Sequence, residues 1–189
     1  MMQAEQTIPL LTDPLETIIE GCRRNNLQSQ EQLYRQCYPQ LIGICFRYAG
    51  DMDGAGIIYN NAMMRVFQHI SRYRHDNKWL PWIRTIIIHC SLDYVKQRNR
   101  FREEKISALH EQSVVIAEDI FQRVSVKEIQ KLIQQMPKAT ATVFNLFIYE
   151  GFTHKQVADA LGISEGTSKW HINEGRKFLK AKLESLIKE

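Results

Sequence analysis

Residues 73–82 mix aromatic rings with basic and amide side chains in the run YRHDNKWLPW. Aromatic rings stack on unpaired nucleic-acid bases, and Lys and Arg neutralise the phosphates that join those bases. The run therefore predicts a contact with single-stranded nucleic acid. Burial of Trp79 and Trp82 in a protein core explains the same residues equally well, so that alternative stays open.

A polar stripe follows on the helix that is predicted to begin near Pro81. Apolar residues at three- and four-residue spacing give this helix two apolar faces. Between those faces lie four polar residues, His89, Asp93, Lys96 and Arg100. A central helix with one polar stripe, followed by the basic run KQRNRFR, predicts a DNA duplex along the stripe. The alternative is a stripe that meets only solvent.

Residues 152–183 predict a helix-turn-helix. A short helix reaches Leu161, Gly162 supplies the positive φ of a tight turn, and Ile163 fills the angle between the helices. Ser164 then caps a longer helix whose outward residues would face a major groove. The residues predicted to contact DNA are Ser164, Glu165, Thr167, Ser168, Lys169, His171, Arg176 and Lys177. A plain helical hairpin with a glycine turn is the alternative.

The sequence offers no arrangement suited to catalysis. Cys90 adjoins His89, but neighbouring residues on a helix point about 100° apart, so His89 is badly placed to act as its base. The four cysteines, at positions 22, 37, 45 and 90, show no Cys-x-x-Cys spacing, which predicts reduced thiols in a core. We therefore expect no catalytic residue, metal, cofactor or small-molecule substrate.

The net charge of +4 on the 189 residues is unevenly distributed. Residues 65–105 hold ten bases and four acids, whereas residues 1–64 hold four bases and seven acids. Such a concentration of positive charge favours an anionic partner. No apolar stretch approaches the about 20 residues of a transmembrane span, and the amino terminus lacks the features of a secretory signal. We expect no membrane insertion.

The spacing of apolar residues and the small number of glycines and prolines predict an all-α fold. We expect two helical domains, at residues 13–100 and 123–187, joined by a flexible linker at residues 101–122. The predicted helix starts are Asp13 with Pro14, the capping boxes Ser29–Gln32, Ser125–Glu128 and Thr153–Gln156, and Ser164; the predicted stops are Gly50, Gly151 and Gly162. A single helix is predicted over residues 138–150.

Three segments carry a resemblance to a known family. They are EQLYRQCYPQLIGICFRYAGD at 31–51, WLPWIRTIIIHCSLDYVKQRNR at 79–100, and GFTHKQVADALGISEGTSKWHINEGRKFL at 151–179. Together, and in this order, they resemble the sigma-70 family, specifically the extracytoplasmic-function (ECF) sigma factors and their Bacteroidetes-like branch. The resemblance implies a cytoplasmic, non-enzymatic factor that binds core RNA polymerase and gives it promoter specificity.

The resemblance also implies roles for individual residues. The first domain corresponds to sigma region two, and its helix near 53–70 would dock on the polymerase through Asp51, Asp53, Ile57, Asn60, Asn61, Met64 and Arg65. The −10 element would be recognised and melted by Tyr73, Asn77, Lys78, Trp79, Trp82, His89, Asp93, Lys96, Arg98 and Arg100. The second domain corresponds to sigma region four, whose recognition helix reads the −35 element. An anti-sigma factor is the further partner that the resemblance implies.

The docking helix departs from the family pattern. Relatives carry several acids there, whereas residues 51–61 read DMDGAGIIYNN, and Gly54 and Gly56 each weaken the start of the helix by up to about 1 kcal/mol. This departure motivates a second hypothesis. In it, the chain is a diverged sigma-like protein that binds DNA or a regulator but no longer docks on polymerase.

Overall fold

A computed structural model of the chain describes residues 14–74, 78–98 and 125–187. Every regular element in these ranges is helical, which confirms the predicted all-α fold. The elements are α1 (Pro14–Arg23), α2 (Leu27–Ala49), α3 (Met52–His69), a 3₁₀ turn (Ile70–Arg72), α4 (Trp79–Arg98), α5 (Val126–Gln134), α6 (Lys138–Phe144), a π-helical turn (Asn145–Tyr149), α7 (His154–Leu161) and α8 (Glu165–Ile187). Helices α1–α4 form the first bundle and α5–α8 the second. The predicted linker, Asp13, Asn77 and Arg100 lie outside the described residues.

Helix α2 starts earlier than its sequence signal indicates. Its N-cap is Asn26, whose Oδ1 accepts the backbone N–H of Ser29 at 2.9 Å. The predicted capping box of Ser29 and Gln32 is therefore wrong, because Asn26 offers the same capping oxygen three residues earlier. The end of the helix is as predicted, since Gly50 adopts the left-handed conformation at φ 86°.

Helix α3 packs closely on its neighbours through a buried glycine. A Cβ atom at Gly54 would lie 2.5 Å from Tyr94 Oη and 2.9 Å from Ala49 Cβ. Gly54 thus permits a close helix approach that any side chain would prevent, and the prediction that it merely weakens the helix was incomplete. A Cβ at Gly56 would meet nothing within 4 Å, so for Gly56 the cost in helix propensity stands alone.

Two of the predicted capping boxes form in the second bundle. Ser125 pairs with Glu128 at the start of α5, and Thr153 pairs with Gln156 at the start of α7. The single helix predicted over residues 138–150 is wrong in detail. The α-helix α6 ends at Phe144, and the chain continues as the π-helical turn. At the end of that turn the Glu150 N–H donates to Asn145 O at 3.1 Å.

The predicted helix-turn-helix is present in α7 and α8. Gly162 ends α7 with φ 71°, and its N–H donates to Ala158 O at 2.8 Å. Ile163 packs against the core from the turn, as expected. Helix α8 packs inward through Ile172, Leu179 and Leu183, which are buried.

The two bundles contact each other, and buried residues of both join one apolar cluster. Polar groups also cross the boundary, because Glu150 of the second bundle pairs with Arg47 and Arg84 of the first. The sequence predicted two domains joined by a flexible linker and made no prediction of a contact between them. The sequence signal for each bundle was local, whereas this contact joins Glu150 to residues 103 and 66 positions away.

Candidate nucleic-acid interface

The amino-terminal end of α8 presents polar groups to solvent. Ser164 caps the helix, since its Oγ accepts the Thr167 N–H at 2.9 Å and lies 2.9 Å from Thr167 Oγ1. Ser164, Glu165 and Lys169 are exposed, and Thr167 is half-buried. A helix amino terminus with hydroxyls and a lysine is suited to phosphate contact, because its backbone N–H groups carry partial positive charge.

Ser168 is the exception among the residues predicted on this helix. Its side chain is buried and its Oγ lies 3.0 Å from Nδ1 of His154 on α7. His154 also stacks on Phe147, with ring centroids 4.4 Å apart. Burial and the nearby charge of Lys169 lower the pKa of His154, which favours its neutral ring. Ser168 therefore ties α7 to α8 and offers no surface to a duplex in this conformation.

The outward residues farther along α8 are held in place by short contacts. His171 Nδ1 lies 3.0 Å from Thr140 Oγ1, and the His171 ring packs edge-on against Trp170 at 4.8 Å. Lys177 donates to Glu174 Oε1 at 2.9 Å. These contacts fix the ring of His171 from one edge and leave it half-buried, so its position is set before any ligand binds.

The aromatic run after α3 is partly a structural anchor. Tyr73 is buried, and its ring lies 5.4 Å from the ring of Trp82. Trp79 and Trp82 are half-buried against the core, while Lys78 is exposed. Tyr73 is thus a core residue. Trp79 and Trp82, for which burial in the core was the alternative to a ligand contact, keep part of their surface accessible to a ligand.

Arg23 of α1 binds the backbone of this segment, a role that the sequence did not predict. An Nη atom of Arg23 donates to Tyr73 O at 2.6 Å, and its Nε donates to Ile70 O at 3.5 Å. The guanidinium thus binds two backbone carbonyls, those of Ile70 and Tyr73, immediately before residue 74. Nothing in the local sequence marks Arg23, because its partners lie 47 and 50 residues away.

Within the described part of α4, His89 and Lys96 of the polar stripe are exposed and Asp93 is half-buried, and other groups of the protein bind most of the charged side chains there. Lys96 Nζ donates to Ala160 O of the second bundle at 2.8 Å. Asp93 pairs with Arg65 at 2.8 Å. Arg98 donates to Tyr94 Oη at 2.8 Å and lies 3.5 Å from Asp51. His89, also in this stripe, is exposed.

The outer face of α3 exposes every residue predicted to dock on a partner. These residues are Asp51, Asp53, Ile57, Asn60, Asn61, Met64 and Arg65. Ile57 is 52% exposed and Met64 is 59% exposed, and Met52, which the prediction omitted, is 56% exposed. Ile57 and Met64, seven residues apart, share one face of α3 and give it an exposed apolar surface suited to protein binding.

The thiols of the first bundle are unreactive by environment. All four cysteines are free and buried. Burial raises the pKa of Cys22 to about 11 and the pKa of Cys37 and Cys45 to about 12. The pKa of Cys90 is raised for the same reason, while its neighbour His89 is exposed. A thiolate is the reactive form of cysteine, so these environments disfavour nucleophilic chemistry. Within the described ranges, no helix has the length and hydropathy needed to cross a bilayer.

Comparisons with known families match both bundles. The family Sigma-70 region 2 matches residues 33–101, and the family Sigma-70, region 4 matches residues 127–179. The two matches follow the same order as the bundles.

Several curated proteins are similar along most of the chain. The chain is 24% identical to ECF RNA polymerase sigma factor SigE of Mycolicibacterium smegmatis over 82% of this chain and 61% of that protein. It is 17% identical to RNA polymerase sigma-H factor of Pseudomonas aeruginosa over 92% of this chain and 96% of that protein. It is 22% identical to ECF RNA polymerase sigma factor SigW of Bacillus subtilis over 76% of this chain and 82% of that protein. The chain thus spans less than two thirds of SigE and nearly all of sigma-H.

Among solved structures, the chain is similar to the sigma factor RpoE from Bartonella quintana, solved in complex with the anti-sigma factor NepR. The TM-score is 0.48 at 16% identity, and the match covers 84% of this chain and 96% of that one.

Proposed function

The chain belongs to the sigma-70 family as an ECF sigma factor, and on that premise we propose that it binds core RNA polymerase and directs it to promoters. The observation that carries the proposal is the order of the two matched regions, each on its own helical bundle with an exposed candidate binding surface. Promoter recognition needs two such surfaces because the −35 and −10 elements are separate sites on one duplex.

The second bundle would recognise the −35 element through the amino-terminal half of α8. Ser164, Thr167 and Lys169 would contact phosphates, which positions the helix without reading sequence. Glu165 and His171 would face base edges in the major groove, where donor and acceptor patterns distinguish the base pairs. The contact between His171 and Thr140 supports a fixed reading position for that ring.

The first bundle would recognise and open the −10 element. The half-buried rings of Trp79 and Trp82 offer aromatic surface beside the exposed cation of Lys78, which suits an unstacked base and its phosphate. Unstacking a base costs a few kcal/mol, and stacking on these rings would offset that cost. Tyr73 would act from within the core, where Arg23 fixes its backbone.

The outer face of α3 would bind polymerase. The apolar residues of this face are exposed, and the acids common in relatives are few. A docking contact there would therefore depend more on apolar side chains than the contact in relatives does. Binding to polymerase places the proposed activity in the cytoplasm. An anti-sigma partner and membership of the Bacteroidetes-like branch remain proposals that rest on the sequence resemblance.

Co-purification with core RNA polymerase from the native host tests this function. We expect a stable complex that starts transcription on host promoters. The double variant Ile57→Ser/Met64→Ser should weaken the complex about tenfold or more, because two buried apolar contacts are lost at the interface. Leu27→Ser is the matched control, since Leu27 is an equally apolar side chain, 79% exposed on α2.

Two results would contradict the proposal. A chain that binds DNA but forms no complex with polymerase would support the alternative of a diverged sigma-like protein. Equal weakening by Leu27→Ser would show that the α3 face is not the docking surface.

A further inference from the structure

A hydrogen bond joins α2 to the outer face of α3. The hydroxyl of Tyr34, on α2, donates to Oδ1 of Asn60, on α3, at 2.7 Å. Asn60 is exposed, although another helix holds its side chain. The neighbouring Asn61 is also exposed, and its side chain makes no hydrogen bond to any residue that the structure describes. Two adjacent amides on one surface therefore differ in how firmly they are held.

The Tyr34 ring is fixed by two other tyrosines. Tyr59 of α3 is fully buried, and its ring packs edge-on against Tyr34 at 4.9 Å and against Tyr38 at 5.2 Å. The hydroxyl of Tyr59 donates to Tyr34 O at 2.7 Å. Tyr38 lies one turn farther along α2, with its ring centre 6.4 Å from that of Tyr34. Ring contacts and a backbone hydrogen bond together set the position of the Tyr34 hydroxyl.

The hydrogen bond determines which end of the Asn60 amide is available. A phenol hydroxyl that donates to Oδ1 engages the oxygen end of the carboxamide. Burial and the neighbouring Tyr38 raise the pKa of Tyr34, so its hydroxyl stays protonated and remains a donor. The nitrogen end of Asn60 carries two N–H donors and makes no hydrogen bond to a described residue.

The α3 face around Asn60 is apolar and uncharged. Ile57 and Met64, which are 52% and 59% exposed, lie three and four residues from Asn60 and share its face of the helix. Residues 54–64 include no charged side chain. A partner that fits here needs an apolar surface and, opposite Asn60, a hydrogen-bond acceptor such as a carbonyl or carboxylate oxygen. A held donor suits such a contact, because a side chain that is fixed before binding loses less entropy on association.

We propose that Tyr34 is a positioning residue for polymerase docking, which holds Asn60 so that its amide N–H groups are offered to an acceptor on the polymerase. The docking role rests on the proposed function, because the partner is the one assigned there. The positioning of Asn60 in the free chain does not depend on it. Tyr34 was not among the predicted docking residues, since its contact with Asn60 spans 26 positions of the sequence.

The affinity of the full chain for core RNA polymerase tests the docking role. Tyr34→Phe removes only the hydroxyl and keeps the ring and the backbone oxygen that binds Tyr59. We expect this variant to weaken the complex about threefold to tenfold, the cost of immobilising one more side chain on binding. Tyr38→Phe is the matched control, because it removes the same atom from the neighbouring ring, and it should leave the affinity unchanged.

A double-mutant cycle separates positioning from a purely structural effect. If Tyr34 acts through Asn60, Tyr34→Phe should have no further effect on the complex once Asn60→Ala has removed the amide. A structural role would instead weaken the complex by the same factor in both backgrounds. That additive result would overturn the proposed positioning, as would equal weakening by Tyr34→Phe and Tyr38→Phe.

Asn60→Asp tests the assignment of the donor. It keeps an oxygen for the Tyr34 hydroxyl and replaces the amide nitrogen by a second oxygen. This variant should weaken the complex more than Tyr34→Phe does, because two acceptors would then face each other without a proton between them. Asn61→Asp adds the same charge to the neighbouring residue and should weaken the complex less. An Asn60→Asp variant that binds as tightly as the wild type, or more tightly, would overturn the acceptor on the polymerase.

Nuclear magnetic resonance relaxation of the free chain tests the positioning without polymerase. The side-chain N–H groups of Asn60 should be more ordered on the picosecond-to-nanosecond timescale than those of Asn61, and Tyr34→Phe should abolish the difference. Equal order of the two amides in the wild type would overturn the positioning.

The outcomes distinguish this inference from the proposed function. A wild type that forms no complex with polymerase would contradict the proposed function and with it the docking role, while the order of the Asn60 amide would still decide whether Tyr34 holds it. A Tyr34→Phe variant that binds polymerase as tightly as the wild type would overturn the docking role alone.

Discussion

The first and second bundles hold their candidate DNA contacts in different states. In the second bundle, Ser164, Glu165 and Lys169 stand exposed at a capped helix amino terminus. In the first, Lys96 is bound by the other bundle and Arg98 lies against Asp51 and Tyr94. The comparison indicates that the proposed −35 surface is formed in the free chain, whereas Lys96 and Arg98 of the proposed −10 surface must first leave their protein partners.

The interiors of the bundles differ as well. The first bundle contains all four cysteines, each buried, and residues 125–187 contain none. Its core also contains Tyr48 and Tyr59, whose pKa values are raised chiefly by burial. The first bundle is therefore the one whose interior can ionise in alkaline solution.

The largest expected effect is a loss of stability of the first bundle at alkaline pH. Thiols of the unfolded chain ionise near 9, whereas burial raises the pKa of Cys22 to about 11 and that of Cys37 and Cys45 to about 12. The part of the free energy of unfolding that the neutral, buried thiols contribute is fully present below pH 9. It is lost as the pH rises towards 11 and 12. Each thiol contributes a slope of about 1.4 kcal/mol per pH unit.

Hydrogen exchange resolved by mass spectrometry, at several pH values between 7 and 10, can follow the two bundles separately. Above pH 9 the free energy of opening should fall for α2 and stay level for α8, after correction for the intrinsic exchange rate. Cys22→Ala should remove one thiol's share of the slope. Equal slopes in the two bundles would contradict the comparison of their interiors.

Glycine-to-alanine substitutions should distinguish glycines that allow helices to approach closely from glycines that only lower helix propensity. Gly54→Ala should destabilise the first bundle by about 1–3 kcal/mol, because its Cβ would meet Tyr94 and Ala49. Gly175→Ala should act similarly on the second, where the Cβ would lie 2.7 Å from Phe144 Cδ2. Chemical denaturation measures both changes. Gly56→Ala is the control, and a gain of up to about 1 kcal/mol is expected because its surroundings are open.

Capping substitutions should cost about 1 kcal/mol in each bundle. Asn26→Ala removes the oxygen that accepts the Ser29 N–H, and Ser164→Ala removes the oxygen that accepts the Thr167 N–H. Ser29→Ala should cost less than Asn26→Ala in denaturant unfolding. The reverse order would restore Ser29 as the cap that the sequence pattern indicated.

The smallest expected effect concerns the salt dependence of DNA binding by the free chain. Lys169→Ala should reduce the slope of log affinity against log salt by about 0.9, the value for one lost phosphate contact. Lys96→Ala should change it less, because Lys96 is already bound to Ala160 O. Titrations of a random-sequence duplex at several salt concentrations give both slopes. A larger change in slope for Lys96→Ala than for Lys169→Ala would contradict the conclusion that Lys96 is held by the protein and Lys169 is available to DNA.

Local signals predicted most of the second bundle. The capping boxes at Ser125 and Thr153 and the turn at Gly162 depend on residues within four positions of one another, so sequence alone reveals them. The π-helical turn was missed because no residue type in Asn145–Tyr149 marks it. Ser168 was predicted to contact DNA, yet it is buried and lies against His154 of the preceding helix.

Apolar spacing and capping within short stretches were enough to predict the helical class, the two bundles and the candidate recognition helix. The same signals could not predict that Arg23 binds the backbone of Tyr73, that Tyr94 approaches Gly54 closely, or that Glu150 pairs with Arg47 and Arg84. These contacts join residues from different helices, and spacing along the chain carries no information on which distant side chains will meet. The decisive polar contact between the bundles is of this second kind.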